Sequence, residues 1–386
     1  MDRTSGDYVQ GSLAQTRYQA YVPRPLPPEP PLFFDAALVA RLERANQALG
    51  RLDGLTRLLP DQELFLYHYV RKEALLSSQI EGTQSSLSDL LLFELREVPG
   101  VPIDDVEEVS NYVAALNHGL ERLRGGFPLS LRLLREIHAV LLRGGRGANK
   151  TPGEFRRTQN WIGGRNPATA SFVPPPPERL DECLDAFERF LHTPGERISP
   201  LIKAALAHLQ FETIHPFNDG NGRLGRLLIA LILCAENVLA EPSLYLSLYF
   251  KTRRTQYYDQ LDAVRRTGDW ETWLAFFLEG VEQTSGQAVD TAQRILALFE
   301  ADRAKLRALG RKAGSSALVF EQFTRRPLLG APQIARQLSL SPLTVRNALG
   351  ELGKLGLLNE ITGQRRNRLW LYQDYYGLLS EGAAPL

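Results

Sequence analysis

Residues 215–226 read His-Pro-Phe-Asn-Asp-Gly-Asn-Gly-Arg-Leu-Gly-Arg, and the middle of this stretch favours a tight turn. Gly220 and Gly222 flank Asn221, and glycine and asparagine adopt positive φ at little steric cost. A turn of this kind points successive backbone N–H groups into one concavity, where they bind anions. We therefore predict an anion-binding turn at residues 220–222.

A mostly apolar run, residues 223–234, follows the turn and predicts a buried helix. The first turn of such a helix carries free N–H groups and the positive end of the helix dipole, and both favour a phosphate. Arg223 and Arg226 are three residues apart, so their side chains leave neighbouring parts of one helix face. Each guanidinium can hold phosphate oxygens through two hydrogen bonds.

Two further side chains of the stretch can act on a bound nucleotide. Asp219 provides hard oxygen ligands for Mg²⁺ beside the turn. His215 has an ordinary pKa of about 6.5, so it can accept a proton near neutral pH. Together with the turn and the two arginines, they predict a site that holds nucleotide phosphates and deprotonates an attacking hydroxyl.

The stretch resembles the signature of Fic-domain proteins, His-Pro-Phe-x-Asp/Glu-Gly-Asn-Gly-Arg-x-x-Arg, and matches it at every position. Most Fic enzymes transfer AMP from ATP to a hydroxyl side chain of a protein and release pyrophosphate. The resemblance implies that His215 is the base toward a target Tyr, Ser or Thr, and that Asp219 holds Mg²⁺ against the α- and β-phosphates. It places the two arginines on the β- and γ-phosphates. The implied nucleotide-binding residues of the loop are Gly220, Asn221, Gly222, Arg223, Leu224, Gly225 and Arg226.

A second segment, residues 77–82 (Ser-Ser-Gln-Ile-Glu-Gly), closes a helical pattern that begins near Asp61. Gly82 occupies the position just past a helix end. Glu81 lies in the last turn, where the helix dipole disfavours an acidic side chain, so a cationic partner elsewhere is expected. The alternative is a solvated surface glutamate.

The same segment resembles the Ser/Thr-x-x-x-Glu-Gly/Asn inhibitory motif of self-restrained Fic proteins, with Ser77, Glu81 and Gly82 at its defining positions. The resemblance implies that Glu81 pairs with Arg226 and blocks seating of the γ-phosphate, in cis. It also leaves a second role open, in which Glu81 orients a water that hydrolyses AMP from a modified target. The sequence does not rank the two directions.

A third segment lies between these two. Residues 153–173 place polar and β-prone residues around a Gly-Gly-Arg-Asn-Pro tip and run into four prolines, which predicts a β-hairpin flap. A short exposed edge can bind an extended peptide, although an ordinary surface hairpin gives the same pattern. The resemblance implies that this flap aligns the target. The predicted docking residues are Trp161, Ile162, Gly163 and Gly164.

Tyr257 and Tyr258 resemble the paired tyrosines that lie near the adenosine in Fic relatives. An aromatic pair within a helical pattern also fits a hydrophobic core. We list both as nucleotide-binding candidates.

The composition is that of a globular protein of several domains. The 386 residues carry 45 Lys or Arg and 44 Asp or Glu, so the net charge of +1 points to no particular partner. Cys183 and Cys234 both fall in apolar helical patterns, as reduced core cysteines do, and no zinc-type spacing is present. The sequence contains no signal-peptide pattern and no apolar run long enough for a membrane span, so we expect a cytoplasmic protein without membrane contact.

The fold class predicted from the patterns is mostly α: a Fic-type helical domain with the flap, and an α+β unit at the C-terminus. The first part, residues 1–34, is polar and then proline-rich, which predicts an extended arm. We expect an N-terminal helical region with the inhibitory helix at 35–100, the catalytic domain at 101–307 and the last unit at 308–386. Helices are predicted at 38–59, 105–123, 130–142, 178–191, 200–214 and 270–306.

The last unit reads as a winged helix-turn-helix. Two short helical patterns, 331–338 and 341–349, are separated by a three-residue turn, and Ser341 and Pro342 suit the start of the second helix. Two strand patterns, 357–362 and 369–372, then flank a basic turn. Residues 311–372 hold ten Lys or Arg against three Glu, which favours DNA electrostatically. Such units also dock proteins or form dimers, so DNA and a homodimer both remain open.

Two functions of different class follow. The first is a self-inhibited protein adenylyltransferase that uses ATP and Mg²⁺ and modifies a target protein, or itself. The second is a DNA-binding regulator whose Fic domain only senses nucleotide. The intact His215 favours the enzyme, because a sensor does not need a base. Transfer of another phosphate-containing group is a further enzymatic alternative, but Arg223 and Arg226 suit a triphosphate.

Overall fold

The computed structural model of the chain describes residues 3–13, 16–58, 62–95, 102–193, 198–308, 310, 314–365 and 367–385. The expected boundary at 100/101 therefore lies outside the described residues, as do the basic residues Arg311, Lys312 and Arg366. The helices are α1 (Ala36–Leu58), α2 (Gln62–Ile80), α3 (Leu87–Glu94), α4 (Ile103–Arg124), α5 (Leu131–Leu141), α6 (Pro177–Leu191), α7 (Pro200–Ile214), α8 (Asn221–Ala235), α9 (Ser247–Thr252), α10 (Arg254–Thr267), α11 (Trp270–Ala308), α12 (Gly314–Arg325), α13 (Ala331–Leu338), α14 (Pro342–Lys354) and α15 (Gln373–Ser380).

The centre of the molecule is the pair of helices α7 and α8. Nearly every side chain of both helices is buried, because other helices cover them on all sides. Pro200 fits the first turn of α7, where no N–H partner is required. The six predicted helices are confirmed, and their ends differ from the predictions by two residues or fewer. The loop that joins α7 to α8 is the segment from which the site was predicted.

The N-terminal segment is not simply an extended arm, so this prediction was wrong in part. Strands β1 (Gly6–Leu13) and β2 (Thr16–Pro23) form an antiparallel hairpin whose register pairs Gly6 with Pro23. Most side chains of β2 from Tyr18 onward are buried, whereas most of β1 is exposed. Strand β2 supplies most of the packing against the body and β1 contributes Val9, which explains why the sequence shows little alternation of polar and apolar residues. The proline-rich run follows as irregular chain.

The predicted β-hairpin at 153–173 is reduced to a loop that is closed by one bridge. The bridge joins Ile162 to Phe172, and the Ile162 N–H donates to the Phe172 carbonyl at 2.8 Å. Between them lies a short 3₁₀ turn, Pro167–Thr169, capped by Asn166. The glycines and prolines of this segment prevent a longer ladder, because they lower strand propensity or remove a backbone donor.

The C-terminal unit contains the predicted helices and strands. Strands β3 (Leu328–Gly330), β4 (Asn359–Glu360) and β5 (Leu369–Leu371) form an antiparallel sheet in the order β3-β5-β4. Helices α13 and α14 are separated by a short turn, and the Ser341 hydroxyl accepts a hydrogen bond from the Thr344 N–H at 3.1 Å. None of the helices in the described residues is both long and apolar enough to cross a membrane.

Candidate active site

The loop between α7 and α8 begins at His215, whose backbone is left-handed (φ 49°). This conformation ends α7 and turns the chain sharply. The His215 carbonyl accepts hydrogen bonds from Arg156 Nε at 3.0 Å and from Asn160 Nδ2 at 3.3 Å. Asn160 also donates to the Phe217 carbonyl at 3.0 Å, so the segment before the flap bridge holds the start of the loop.

The His215 ring is oriented as a proton acceptor. Its Nδ1 lies 3.3 Å from the Glu212 carbonyl, so Nδ1 carries the hydrogen and Nε2 keeps the lone pair. Burial lowers the pKa of His215 to about 4, and the nearby Arg156 acts in the same direction. The imidazole is therefore neutral at pH 7, the form that can take a proton from a hydroxyl.

Asn221 closes the loop upon itself. Its Oδ1 accepts from the Phe217 N–H and its Nδ2 donates to the Phe217 carbonyl, both at 2.9 Å. Gly220, just before α8, has φ 76°, which confirms the prediction of a left-handed residue. Gly222 already lies in α8, and a Cβ there would lie 2.2 Å from Glu81 Oε1, so a larger residue would displace the Glu81 carboxylate. The backbone turn is therefore shorter than predicted.

Arg226 is buried against the C-terminal end of α2. Its Nη2 donates to Glu81 Oε1 at 2.7 Å and to the Ser77 carbonyl at 3.0 Å, while its Nε donates to the Ser77 hydroxyl at 2.9 Å. Gly82 follows with φ 101°, as expected just past a helix end. Burial would raise the pKa of the Glu81 carboxyl, but Arg226 more than offsets this and lowers it. Glu81 is therefore an ionised partner of Arg226.

Arg223 is also buried, next to two carboxylates. Its Nη1 lies 2.9 Å from Glu108 Oε1 on α4, and its Nη2 lies 3.6 Å from Asp219 Oδ1. The contact with Glu108 lacks hydrogen-bond alignment, so among the described residues Arg223 Nε and Nη1 have no hydrogen-bond acceptor. Buried donors without an acceptor are the groups that an anionic ligand would satisfy.

Asp219 is placed to hold a cation together with phosphate oxygens. Its Oδ1 accepts from the Gly220 N–H at 2.6 Å, and about a third of the side chain is exposed. The described residues contain no group of three or more His, Cys, Asp or Glu arranged around one metal position. Mg²⁺ usually takes one or two protein carboxylates and completes its shell with water and substrate phosphates, so a single aspartate fits.

The sequence did not indicate His138, which supports the loop from α5. Its Nδ1 accepts from the Gly153 N–H at 2.8 Å, so its Nε2 carries the hydrogen and donates to the Asp219 carbonyl at 3.0 Å. The ring stacks on Phe217 with centroids 3.7 Å apart. Burial lowers the pKa of His138 to about 4 and keeps this arrangement neutral. No short motif surrounds His138, so only the fold reveals it.

The predicted docking residues lie together at the start of the flap. Trp161 is half-buried, whereas Ile162, Gly163 and Gly164 are exposed. Both glycines have φ 69°, and a Cβ on Gly164 would lie 2.2 Å from the Thr169 carbonyl oxygen. The tip therefore depends on glycine for its shape.

The two tyrosines predicted near the adenosine differ in burial. Tyr257 is fully buried, its hydroxyl lies 2.9 Å from His208 Nε2, and its ring stacks on Phe250. It has no exposed face for a base, so it serves the core, as the alternative interpretation held. Tyr258 is 40% exposed and can still contact a nucleotide.

Comparison with known proteins finds two family regions in the chain. Residues 39–121 match the family described as Fic/DOC family N-terminal, and residues 128–233 match the Fic/DOC family itself. The second match includes the whole loop together with α5 and α7.

The chain contains the N-terminal region and the Fic domain of the Fic/DOC family.

Curated relatives of this Fic chain include the protein adenylyltransferase Fic of Culex quinquefasciatus, which is 31% identical over 63% of this chain. The chain spans about half the length of that relative, since the match covers 46% of it. Among solved structures, a Fic family protein from Desulfovibrio desulfuricans G20 superposes with a TM-score of 0.57 at 21% identity, over 89% of this chain and 97% of that one. A Fic domain containing signaling protein from Bacteroides thetaiotaomicron VPI-5482 gives a TM-score of 0.50 at 18% identity, over 65% and 95%. These likenesses show the Fic fold.

Proposed function

We propose that this Fic chain is a protein adenylyltransferase that transfers AMP from ATP to a Tyr, Ser or Thr hydroxyl of a target protein. The observation that carries the proposal is the position of an accepting His215 Nε2 on the same loop as Asp219 and the unsatisfied Arg223 donors. The curated relatives named protein adenylyltransferase support the same reaction.

In the proposed step the target oxygen attacks the α-phosphorus of ATP. The new bond joins that oxygen to phosphorus, the bond between the α-phosphorus and the bridging oxygen of pyrophosphate breaks, and His215 Nε2 takes the hydroxyl proton. Arg223 and Arg226 bind the β- and γ-phosphates and stabilise the charge of the leaving pyrophosphate. Asp219 would hold Mg²⁺, which when bound would neutralise further charge on the phosphates. The residues therefore act mainly by positioning and by electrostatics.

Glu81 restrains this activity in the proposed function. Its carboxylate accepts a hydrogen bond from Arg226 Nη2, the donor that the γ-phosphate would need. A triphosphate and Glu81 therefore compete for one guanidinium. Release of Glu81 frees Arg226 for the nucleotide.

The test uses ATP labelled at the α-phosphate, ATP labelled at the γ-phosphate, and a cell lysate as the source of targets. We expect Glu81→Gly to raise α-label incorporation at least tenfold, with no γ-label on protein. Glu94→Gly is the matched control, because Glu94 also ends a helix and pairs with an arginine, Arg71. Equal incorporation by wild type and Glu81→Gly would remove Glu81 from the mechanism. Labelling of protein from the γ-phosphate would replace AMP transfer with phosphorylation.

His215→Ala in the Glu81→Gly background should abolish incorporation and leave the affinity for Mg-ATP within about twofold, because the ring accepts a proton but holds no phosphate. Normal labelling by this variant would show that His215 is not the base. If purified modified target loses AMP faster with wild type than with Glu81→Gly, the reverse hydrolysis with Glu81 orienting water becomes the main activity.

We infer that residues 314–371 are a winged helix, because helix, strand, two helices and a two-stranded wing follow in that order. The outer face of α14 exposes Leu343, Arg346 and Asn347. Two positive charges on this face, Arg346 and Lys354, stand beside the exposed apolar side chain of Leu343, so we favour a target-docking role. Retardation of duplex DNA by the full chain at low salt, lost at high salt, would instead favour the DNA-binding regulator.

A further inference from the structure

The two arginines of the loop are held by two different carboxylates. Arg226 pairs with Glu81 at the end of α2, and Arg223 pairs with Glu108 in α4. Neither composition nor motif indicates Glu108. The contacts are of similar length, 2.7 Å and 2.9 Å, but the surroundings of the two glutamates differ.

Glu81 can leave its arginine, because it stands in a turn just past α2 and is followed by Gly82. Its side chain is 30% exposed, so water can solvate the carboxylate when it separates from Arg226. Rotation of one side chain, or a small shift of the helix end, separates Glu81 from Arg226.

Glu108 cannot leave in this way. It lies within α4, away from both helix ends, and the side chains of Glu108 and Arg223 are 3% and 1% exposed. Separating them would leave only longer contacts to partly exposed partners, 3.8 Å to Arg146 and 3.6 Å to Asp219, which costs more than breaking a surface pair. The pair therefore persists when Glu81 moves.

Glu108 also contacts Arg146, a residue that reaches the backbone of Glu81. Its other oxygen, Oε2, lies 3.8 Å from Arg146 Nε, and Arg146 Nη2 donates to the Glu81 carbonyl at 3.5 Å. Burial raises the pKa of the Glu108 carboxyl, and Arg223 and Arg146 oppose this. With Nη1 of Arg223 beside Glu108, Nη2 faces Asp219, the predicted magnesium ligand.

We propose that Glu108 is a positioning residue for the triphosphate: it fixes Arg223 beside Asp219, and it does so whether or not Glu81 is released. This inference rests on the proposed function of the loop. Substitutions of the two glutamates should therefore have opposite effects on the binding of the triphosphate. Loss of Glu81 frees Arg226, whereas loss of Glu108 misplaces Arg223. If Glu108 were instead a second inhibitory residue like Glu81, substitutions of Glu108 would raise the activity.

The test measures the affinities for Mg-ATP and for AMP by calorimetry in the Glu81→Gly background. Glu108→Gln should weaken Mg-ATP binding about tenfold, because Arg223 loses the buried charge that holds it in place, and leave AMP binding unchanged, because AMP lacks the β- and γ-phosphates. Glu107→Gln, on the same helix, is the matched control and should change neither affinity. Unchanged or tighter Mg-ATP binding by Glu108→Gln overturns the proposal, and so does an equal loss for ATP and AMP, which a general structural role would give.

Two further variants keep the test informative if Glu108→Gln does not fold. Arg223→Gln and the double variant Glu108→Gln/Arg223→Gln remove one or both charges of the pair. If Glu108 acts through Arg223, the two variants should bind Mg-ATP equally; a further loss in the double variant contradicts the proposal. Failure of the Glu81→Gly protein itself to bind Mg-ATP would overturn the proposed function instead, independently of Glu108.

Discussion

Individual side chains on neighbouring elements hold the backbone of the His215 loop and the two arginines that follow it. His138 and Asn221 hold its backbone, Glu108 holds Arg223, and Glu81 together with Ser77 holds Arg226. The residues assigned to the reaction, His215 and Asp219, are both half-buried. Support by buried partners keeps reacting groups in a defined geometry, on which the rate of a positioning enzyme depends.

His138→Ala should therefore impair the site without touching a ligand. Two hydrogen bonds and a stacked ring are lost, so we expect stability to fall by about 2 kcal/mol, at roughly 1 kcal/mol for each hydrogen bond. In the Glu81→Gly background α-label incorporation should fall at least tenfold, because the Asp219 backbone loses its donor. His192→Ala, which removes one exposed ring bonded to the Leu129 carbonyl, is the control. A normal labelling rate for His138→Ala would show that the loop keeps its shape unaided.

The residues that the sequence indicated and those that it missed differ in a physical way. His215, Asp219 and the two arginines lie in one short motif, and Glu81 follows from a second motif. Glu108 and His138 come from other helices and meet the loop only through the packing of α4 and α5 against α8. Burial and partner choice of this kind carry no local pattern, so only the fold reveals them.

At the scale of elements, the flap is a loop held at both ends. The Ile162–Phe172 bridge closes it, and Asn160 joins its base to the His215 loop. The helices were predictable because apolar residues repeat with helical period over many turns. The N-terminal hairpin was not, because β1 is mostly exposed and β2 is buried at consecutive residues, so neither strand alternates regularly. The flap was predicted as a longer hairpin than the single bridge that forms.

Gly164→Ala should test the shape of the flap. A Cβ there meets the Thr169 carbonyl oxygen at 2.2 Å and also strains a residue with positive φ. We expect labelling of lysate targets by the Glu81→Gly protein to fall about tenfold, with Mg-ATP affinity unchanged. Gly126→Ala carries the same backbone strain (φ 80°) but meets no atom within 4 Å, so it should label normally. Equal labelling by both variants would separate the flap from target docking.

At the scale of the whole molecule, the C-terminal tail reaches the helix that carries Glu81. The Gln79 amide donates to the Ala383 carbonyl at 3.0 Å and to the Ser85 carbonyl at 2.8 Å, so one group ties the tail to the turn after Glu81. Lys251 donates to Gln79 Oε1 at 2.6 Å and also to the Ala384 carbonyl. The end of the chain therefore helps to fix the end of α2.

Removal of residues 381–386 should loosen Glu81. We expect basal α-label incorporation to rise about fivefold, for a coupling of about 1 kcal/mol, in the chain that keeps Glu81. The same truncation should add nothing in the Glu81→Gly background, where the restraint is already gone. An equal rise in both backgrounds would mean that the tail acts elsewhere.

Acidification should destabilise the folded chain. Burial lowers the pKa of four histidines to about 3 or 4, against about 6.5 in the unfolded chain. As pH falls from 6.5 toward 4, these histidines are protonated in the unfolded state but not in the folded state, so the free energy of unfolding decreases. Burial raises the pKa of Glu73 and Glu212 to about 7, which acts oppositely: their contribution is present below pH 4.5 and lost as pH rises to 7. The histidines outnumber them, so the melting temperature should fall between pH 6.5 and 4.5; a constant or rising value would contradict this. The four buried histidines with a lowered pKa are His68, His138, His208 and His215.

The central claim is that residues 215–226 bind a magnesium-bound triphosphate beside a proton-accepting imidazole. The most direct measurement is a crystal structure of the Glu81→Gly protein with Mg²⁺ and a non-hydrolysable ATP analogue. We expect β- and γ-phosphate oxygens on Arg223 and Arg226, a cation between Asp219 and the phosphates, and His215 Nε2 facing the α-phosphate. A nucleotide bound elsewhere, or a His215 ring whose Nε2 points into the core, would contradict it.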